Sequence, residues 1–259
     1  MRTSVAVIFW FIGITCGAHV ETLPEQNSHS ASQDGGVREV LESIVIPPIP
    51  HAPFSATLAT EAVKYAADGT TMTFVNERHI ARDAQGRIYE ERWFLVPKNG
   101  NVQSKMNWIQ LIDPKQRTLY NCSHARHMCD LLSYDPASDL AAALPNKGSS
   151  GPMPHGDGNI AWEDLGIRTI AGIETAGTRK TVISNAGAVG NDQPLTSMSE
   201  YWHSAQFGIN LLSIRSSPFF GRQTFTITEL SSGDPDPQLF GLPAGFKVND
   251  QRKSPPISY

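Results

Sequence analysis

Cysteine is scarce in this chain: three in 259 residues, at Cys16, Cys122 and Cys129. The spacing Cys122-x-His124-x2-His127-x-Cys129 matches no common zinc-finger pattern. Lys and Arg form no cluster, and the net charge is mildly acidic at -4, so nothing points to a nucleic-acid partner. Beyond the first residues no second long apolar run occurs, and no further membrane span is expected. No H-E-x-x-H, P-loop or dinucleotide fingerprint is present. The Gly148–Gly151 stretch "GSSG" lacks the strand-to-helix setting that a nucleophile elbow needs. Charged residues are few for a soluble chain, at 18%, whereas Gly and Pro are plentiful at 21 and 18, as suits a β-rich protein with many turns.

What is present starts at the N-terminus. Met1-Arg2 gives a positive start, Val5–Ile14 is uncharged and apolar, and the small residues "TCGA" follow. The run is too short for a permanent helical span but fits the core of a secretory signal, with cleavage near Ala18. An uncleaved anchor and lipid attachment at Cys16 are the alternatives; Thr15 and Gly13 depart from the usual lipoprotein pattern. The expectation is export, to the periplasm or the outer membrane. Cleavage leaves Cys122 and Cys129 as an even pair, which in an oxidising compartment reads as a disulfide. The flanking "QRTLYNC" and "MCDLLSY" are rich in strand formers, so a turn over His124–His127 sets the two cysteines opposite one another.

The chain divides into a signal peptide (1–18), a flexible leader and Pro-rich linker (19–53), one β domain (54–248) and a disordered tail (249–259). "VREVLESIV" (Val37–Val45) can form a short helix, and "PPIPHAP" must be extended. From Phe54 strand follows strand. "FSATLATEAVKY" turns at Asp68-Gly69 into "TMTFVNERHIARD", then come "RIYEERWFLV", "MNWIQLID" and "TLYNCS". Residues 135–159 read as a long surface loop with a helical turn at "SDLAAAL". The strands resume with "EDLGIRTIAGIETAGTRKTVIS", followed by "TSMSEYWHS", "INLLSIRSS" and "RQTFTITEL". The connections are too short for helical crossovers, so neighbours should pair antiparallel as a meander.

Four patterns occur here in the order found in the LolA/LppX-like lipoprotein-carrier superfamily: "LIDPKQRTLY", "GIRTIAGIETAGTRKTVI", "EYWHSAQFGINLLSIRSS" and "DPDPQLFGLPAGFKV". The chain also resembles exported acidobacterial proteins of unknown function through "IPPIPHAPFSA" and its Leu-Phe-x-x-Pro exit. The resemblance covers about Phe54 to Val248. It implies a mainly β fold: a strongly curved antiparallel sheet, an incomplete barrel, with one or two short helices. In the carriers the concave side holds acyl chains under longer helical segments than this chain can supply.

Strand aromatics are the candidate ligand wall: Trp93, Phe94, Trp108 and Trp202. Strand aromatics are more often plain sheet core, and that is the alternative reading of these residues. Phe219-Phe220, between Pro218 and Gly221, reads as an exposed pair suited to a membrane surface or a partner. No catalytic set, metal site or cofactor is expected. Three functions stand. The first is a non-enzymatic envelope protein binding an apolar ligand, lipid or lipidated partner in the concavity of the curved sheet. The second is an interaction module with a filled core. The third is an unrecognised hydrolase or metal protein using His79, His124, His127 or His155.

Overall fold

The computed structural model describes residues 43–252, apart from 143 and 146. The helix expected at Val37–Val45 and the signal peptide lie outside these residues, except for Ser43–Val45, which is not helical.

Among the described residues, fourteen strands form one sheet. The first half contains β1 (Phe54–Tyr65), β2 (Thr71–Arg82), β3 (Ile88–Trp93), β4 (Val96–Pro97), β5 (Met106–Asp113), β6 (Thr118–Ser123) and β7 (Met128–Ser133). The second contains β8 (Gly151–Pro152), β9 (Gly158–Ile170), β10 (Ile173–Ser184), β11 (Leu195–Ser204), β12 (Ile209–Ser217), β13 (Gly221–Ser232) and β14 (Lys247–Asp250). A meander from β1 to β7 runs out to one edge, and a meander from β8 to β13 runs back from the other, so that β13 pairs antiparallel with β1. One short helix, α1 (Pro136–Ala142), lies in the connection between the halves. The outermost strands, β14 and β8, do not pair with each other, so the sheet is not closed. This is the curved, incomplete-barrel sheet that the sequence leads one to expect.

Period-two alternation drives the packing. On β1 the side chains of Phe54, Ala56, Leu58, Thr60 and Ala62 are buried, while Ser55, Thr57, Ala59 and Glu61 are half-buried. The buried set joins Ile80, Ile88, Phe225 and Ile227 in the main core. On the other face, Ala81, Tyr89, Ile109, Leu111 and the two cysteines form a second cluster, covered by Leu239, Phe240 and Phe246. Cys122 and Cys129 face each other in the β6–β7 register and are joined by a disulfide with an S–S distance of 2.03 Å.

Three details differ from expectation. Residues 43–53 are not a linker up to Phe54: Ile44, Ile46 and Pro47 are buried in the main core. The cause is Arg82, 0% exposed, which donates through Nη1 to Pro47 O (2.8 Å), through Nε and Nη2 to Ala52 O (3.0 and 2.7 Å), and through Nη2 to Phe207 O (2.8 Å). Gly86, with φ +81°, lies so close to this strap that a Cβ there would meet Pro48 O at 2.8 Å. The tail expected from 249 instead begins in a strand: Asn249 and Asp250 continue β14, which runs parallel to β7. Backbone pairing to an edge needs no apolar side chain, so composition alone misses it. Finally, the strand expected over "RIYEERWFLV" ends at Trp93.

Candidate ligand-binding cleft

The early end of β3 opens the sheet. β2 and β3 share only three register pairs, Ile80 with Glu90, Ala81 with Tyr89, and Arg82 with Ile88. Pairing to β2 resumes at Phe74 and Val75, now with β4. Residues 76–79 of β2 therefore have no strand beside them on that side. Side chains replace the missing ladder: Asn76 Nδ2 donates to Trp93 O at 2.7 Å, and His79 N donates to Glu91 Oε2 at 3.0 Å. Buried backbone groups require such partners.

A cleft of about 740 Å3 lies over this split, open to solvent. Its floor is Ala59 with Thr224 and Thr226, and its sides include Val75, Trp93 and Val96. Register explains the grouping. Ala59 lies opposite both Glu77 and Thr226, so these residues share the sheet face that points away from the main core. Volume and lining fall within the range of small-molecule sites. Two smaller hollows continue it along β1: one shares Glu77, Trp93 and Thr228 with it, and the next is reached through Thr57, His79 and Glu229.

Polar groups concentrate at the far end. Glu91 is buried and accepts from Trp93 Nε1 (2.8 Å), Tyr89 Oη (2.8 Å) and the His79 amide. Burial, reinforced by Glu91, pushes the Tyr89 phenol pKa up. Arg78, between Glu77 and His79, points to the opposite face, donating to Thr60 Oγ1 at 3.3 Å and to Ser43 Oγ. Burial, assisted by Arg92 and opposed by Glu90, lowers its pKa to about 10. At the near end Lys98 Nζ is held by Glu61 Oε2 at 2.7 Å.

The four aromatic candidates are not brought together. Trp93 lines the cleft. Phe94 follows it outside the strand and is 54% exposed. Trp108 lies opposite Arg92, hence on the face away from Trp93, and is 38% exposed. Trp202 is buried in the main core with its ring over Gly177, where a Cβ would come within 2.7 Å. Its Nε1 donates to Glu200 Oε1 at 2.8 Å, and Arg168 stacks on its ring. Phe219 is exposed, whereas Phe220 is half-buried beneath the Arg215 guanidinium. The histidines are dispersed: His79 at the cleft, His124 and His127 against Phe246, and His155 on a separate turn. Among the described residues no three His, Cys, Asp or Glu side chains are grouped to hold a metal ion. The sequence reading missed Val75, Glu91 and the threonines of β13, although "TFTIT" carried the signal in its alternating hydroxyls.

No family model and no curated protein matches the chain. Solved structures do. MucB, in the MucA/MucB complex of Pseudomonas aeruginosa, is 15% identical over 76% of this chain and 58% of that one, with TM-score 0.35. LprF from Mycobacterium bovis is 12% identical over 76% and 91% of the two chains, with TM-score 0.31. A LolA superfamily protein from Nitrosomonas europaea is 10% identical over 76% and 92%, with TM-score 0.30. Solved structures of the superfamily that the sequence resembles are thus among the matches, at identities and TM-scores too low to say anything of this chain's role. The chain spans less than two thirds of the MucB chains it matches.

Proposed function

We propose that this is an exported, non-enzymatic envelope protein whose split sheet binds an apolar ligand or the lipid of a lipidated partner. The observation that carries this reading is the cleft of about 740 Å3 between β2, β3 and β4, with Trp93, Val75, Val96 and Ala59 at its walls. Export is supported by the apolar run near the N-terminus and by the buried disulfide, which suits an oxidising compartment. No helix among the described residues is long and apolar enough to cross a membrane. Residues 1–18 are assigned as the signal peptide that delivers the chain.

The test is a titration of the purified protein with a fluorescent acyl probe, following tryptophan emission. Saturable binding is expected. Ala59→Phe, which fills the floor of the cleft, should abolish it, and Trp108→Ala, on the other face, should leave it unchanged. Binding lost in Trp108→Ala but kept in Ala59→Phe would place the ligand elsewhere and overturn the assignment.

A second reading has its own support. The main-core face is filled by the strap of Ile44, Ile46 and Pro47, as an interaction module without a ligand would require. Native mass spectrometry on protein from an envelope fraction separates the two: a co-purifying lipid favours the carrier, and a bare mass with no probe binding favours the module.

A further inference from the structure

We infer that the cleft selects its ligand by charge, taking single-chain amphiphiles with a cationic head and disfavouring those with an anionic one. This inference rests on the reading of the cleft as an apolar-ligand site and adds the class of head group. The cavity over Trp93 and its two continuations form one groove, joined through Glu77, Trp93 and Thr228 and then through Thr57, His79 and Glu229. Its floor follows β1 from Ser55 to Glu61, and strand rise makes that path roughly 20 Å. The groove thus suits an elongated molecule.

Its hollows differ in chemistry. Ala59, Val75, Trp93 and Val96 give the first its apolar surface among the hydroxyls of Ser104, Thr224 and Thr226, and Lys98 there is neutralised by Glu61 at 2.7 Å. Past Trp93 it leads into the hollow that carries Glu77, Glu91 and Glu229, of which Glu77 also lines the first. Glu77 and Glu229 are exposed; Thr57 Oγ1 donates to Glu229 Oε2 at 3.2 Å, and among the described residues no cation pairs with either. Glu91 is surrounded by three donors, none of them a charged side chain. Arg78 borders this hollow but commits its guanidinium to Thr60 and Ser43 on the opposite face. The amides and carbonyls of alternate β2 residues, seen at Thr73 O and His79 N, point toward the split, which turns the Glu77 peptide group the same way. An apolar hollow that opens onto carboxylates paired with no cation complements a tail that ends in a positive charge. A carboxylate head there would instead meet like charge at close range.

Three dodecyl probes below their micelle concentrations test this by tryptophan emission: dodecyltrimethylammonium, dodecyl maltoside and dodecanoate. The cationic probe should bind about tenfold or more tightly than dodecanoate at low salt, with the gap narrowing as salt rises. In the double variant Glu77→Gln/Glu229→Gln the gap should close to about threefold or less, with dodecyl maltoside affinity unchanged. Equal binding of the cationic and anionic probes to the unaltered protein would overturn the charge selection while leaving the apolar site standing. So would a gap that persists undiminished in the double variant. Failure of all three probes to bind would overturn both the selection and the site.

Discussion

Arg82 is the residue on which the position of the 43–53 strap depends, and Arg82→Met tests that dependence. The guanidinium is fully buried, has no carboxylate partner among the described residues, and stacks 5.1 Å from the centre of the Phe54 ring. Burial lowers its pKa to about 10, so it is charged at neutral pH. Methionine preserves most of the volume but leaves the carbonyls of Ala52 and Phe207 without the donor that Arg82 supplies. Pro47 O is less affected because the Ile49 amide also donates to it, at 2.8 Å. Two orphaned buried acceptors cost about 2–6 kcal/mol together. Removing a buried charge returns part of this, because its desolvation penalty disappears. The net expectation is a loss of about 3 kcal/mol, a large share of a typical domain's stability. Urea unfolding with an unchanged m-value would measure it, and amide exchange at 44–52 should rise more than elsewhere. Arg82→Lys keeps the charge but cannot reach three diverging carbonyls, so it should recover less than half of the loss. A stability change below about 1 kcal/mol in Arg82→Met, with 44–52 still protected, would refute the view that Arg82 holds the strap.

Other outcomes follow from the same structure. Reducing the Cys122–Cys129 bond, which closes a loop with a separation of 7 residues, should cost about 2–3 kcal/mol by loop entropy. Calorimetry should then show a midpoint lower by roughly 5–10 °C, and two thiols titratable in protein taken from the periplasm would refute the bond. Phe240→Ala should destabilise by about 2–3 kcal/mol in chemical denaturation, since the ring packs on the second cluster under the Arg87 guanidinium. Truncation after Val248 removes the Gln251 amide bond to Leu131 O and the Asn249 and Gln251 bonds to Asp130, and should cost about 1–2 kcal/mol rather than nothing. The Asp130 carboxyl is held below its ordinary 3.8 chiefly by Arg126 and Asn249. A depressed carboxyl stabilises the fold above that ordinary value and loses the contribution as pH falls through the folded one. Acid titration below that ordinary value should therefore loosen β14 in exchange measurements, and Asp130→Asn should remove the pH dependence.

Much of the sheet was legible because its signals are local. Asp68-Gly69 turns β1 into β2, with Gly69 at φ +83° and Thr70 N donating to Asp68 Oδ1 at 2.9 Å. The cysteines sit at the neck of a short hairpin that the flanking strand formers announce. The misses depend on distant partners. Pro47–Pro53 reads as an extended linker, but it turns at Pro50–His51, where His51 has φ 61°; the burial of its first residues is decided by Arg82 and by the turn at Gly208, where Ile49 packs. Nothing within the strap encodes either contact. β14 is polar in every residue but Val248 and joins the sheet through its backbone, so hydrophobic patterning has nothing to report there.

The site was legible only in residue type. Trp93 and Phe94 are adjacent aromatics that look interchangeable in the sequence, yet one lines the cleft and the other stands exposed, because β3 ends between them. What makes the cleft is a mismatch of length: β2 has twelve residues and β3 has six. Neither strand carries that information alone, since the register that exposes residues 76–79 is set by the turn after Arg82. The same stretch of β2 serves both faces. Arg78 reaches through the core side to Ser43 of the strap, while Glu77 and His79 face the groove. A ligand that moved β2 at the split would therefore act on the hydrogen bond that holds the start of the strap, and a strap released from Ser43 would leave Arg78 buried with fewer acceptors. Arg78→Met should accordingly alter acyl-probe affinity although its side chain lies on the face opposite the cleft. Unchanged affinity in a folded Arg78→Met variant would show that the two faces act independently.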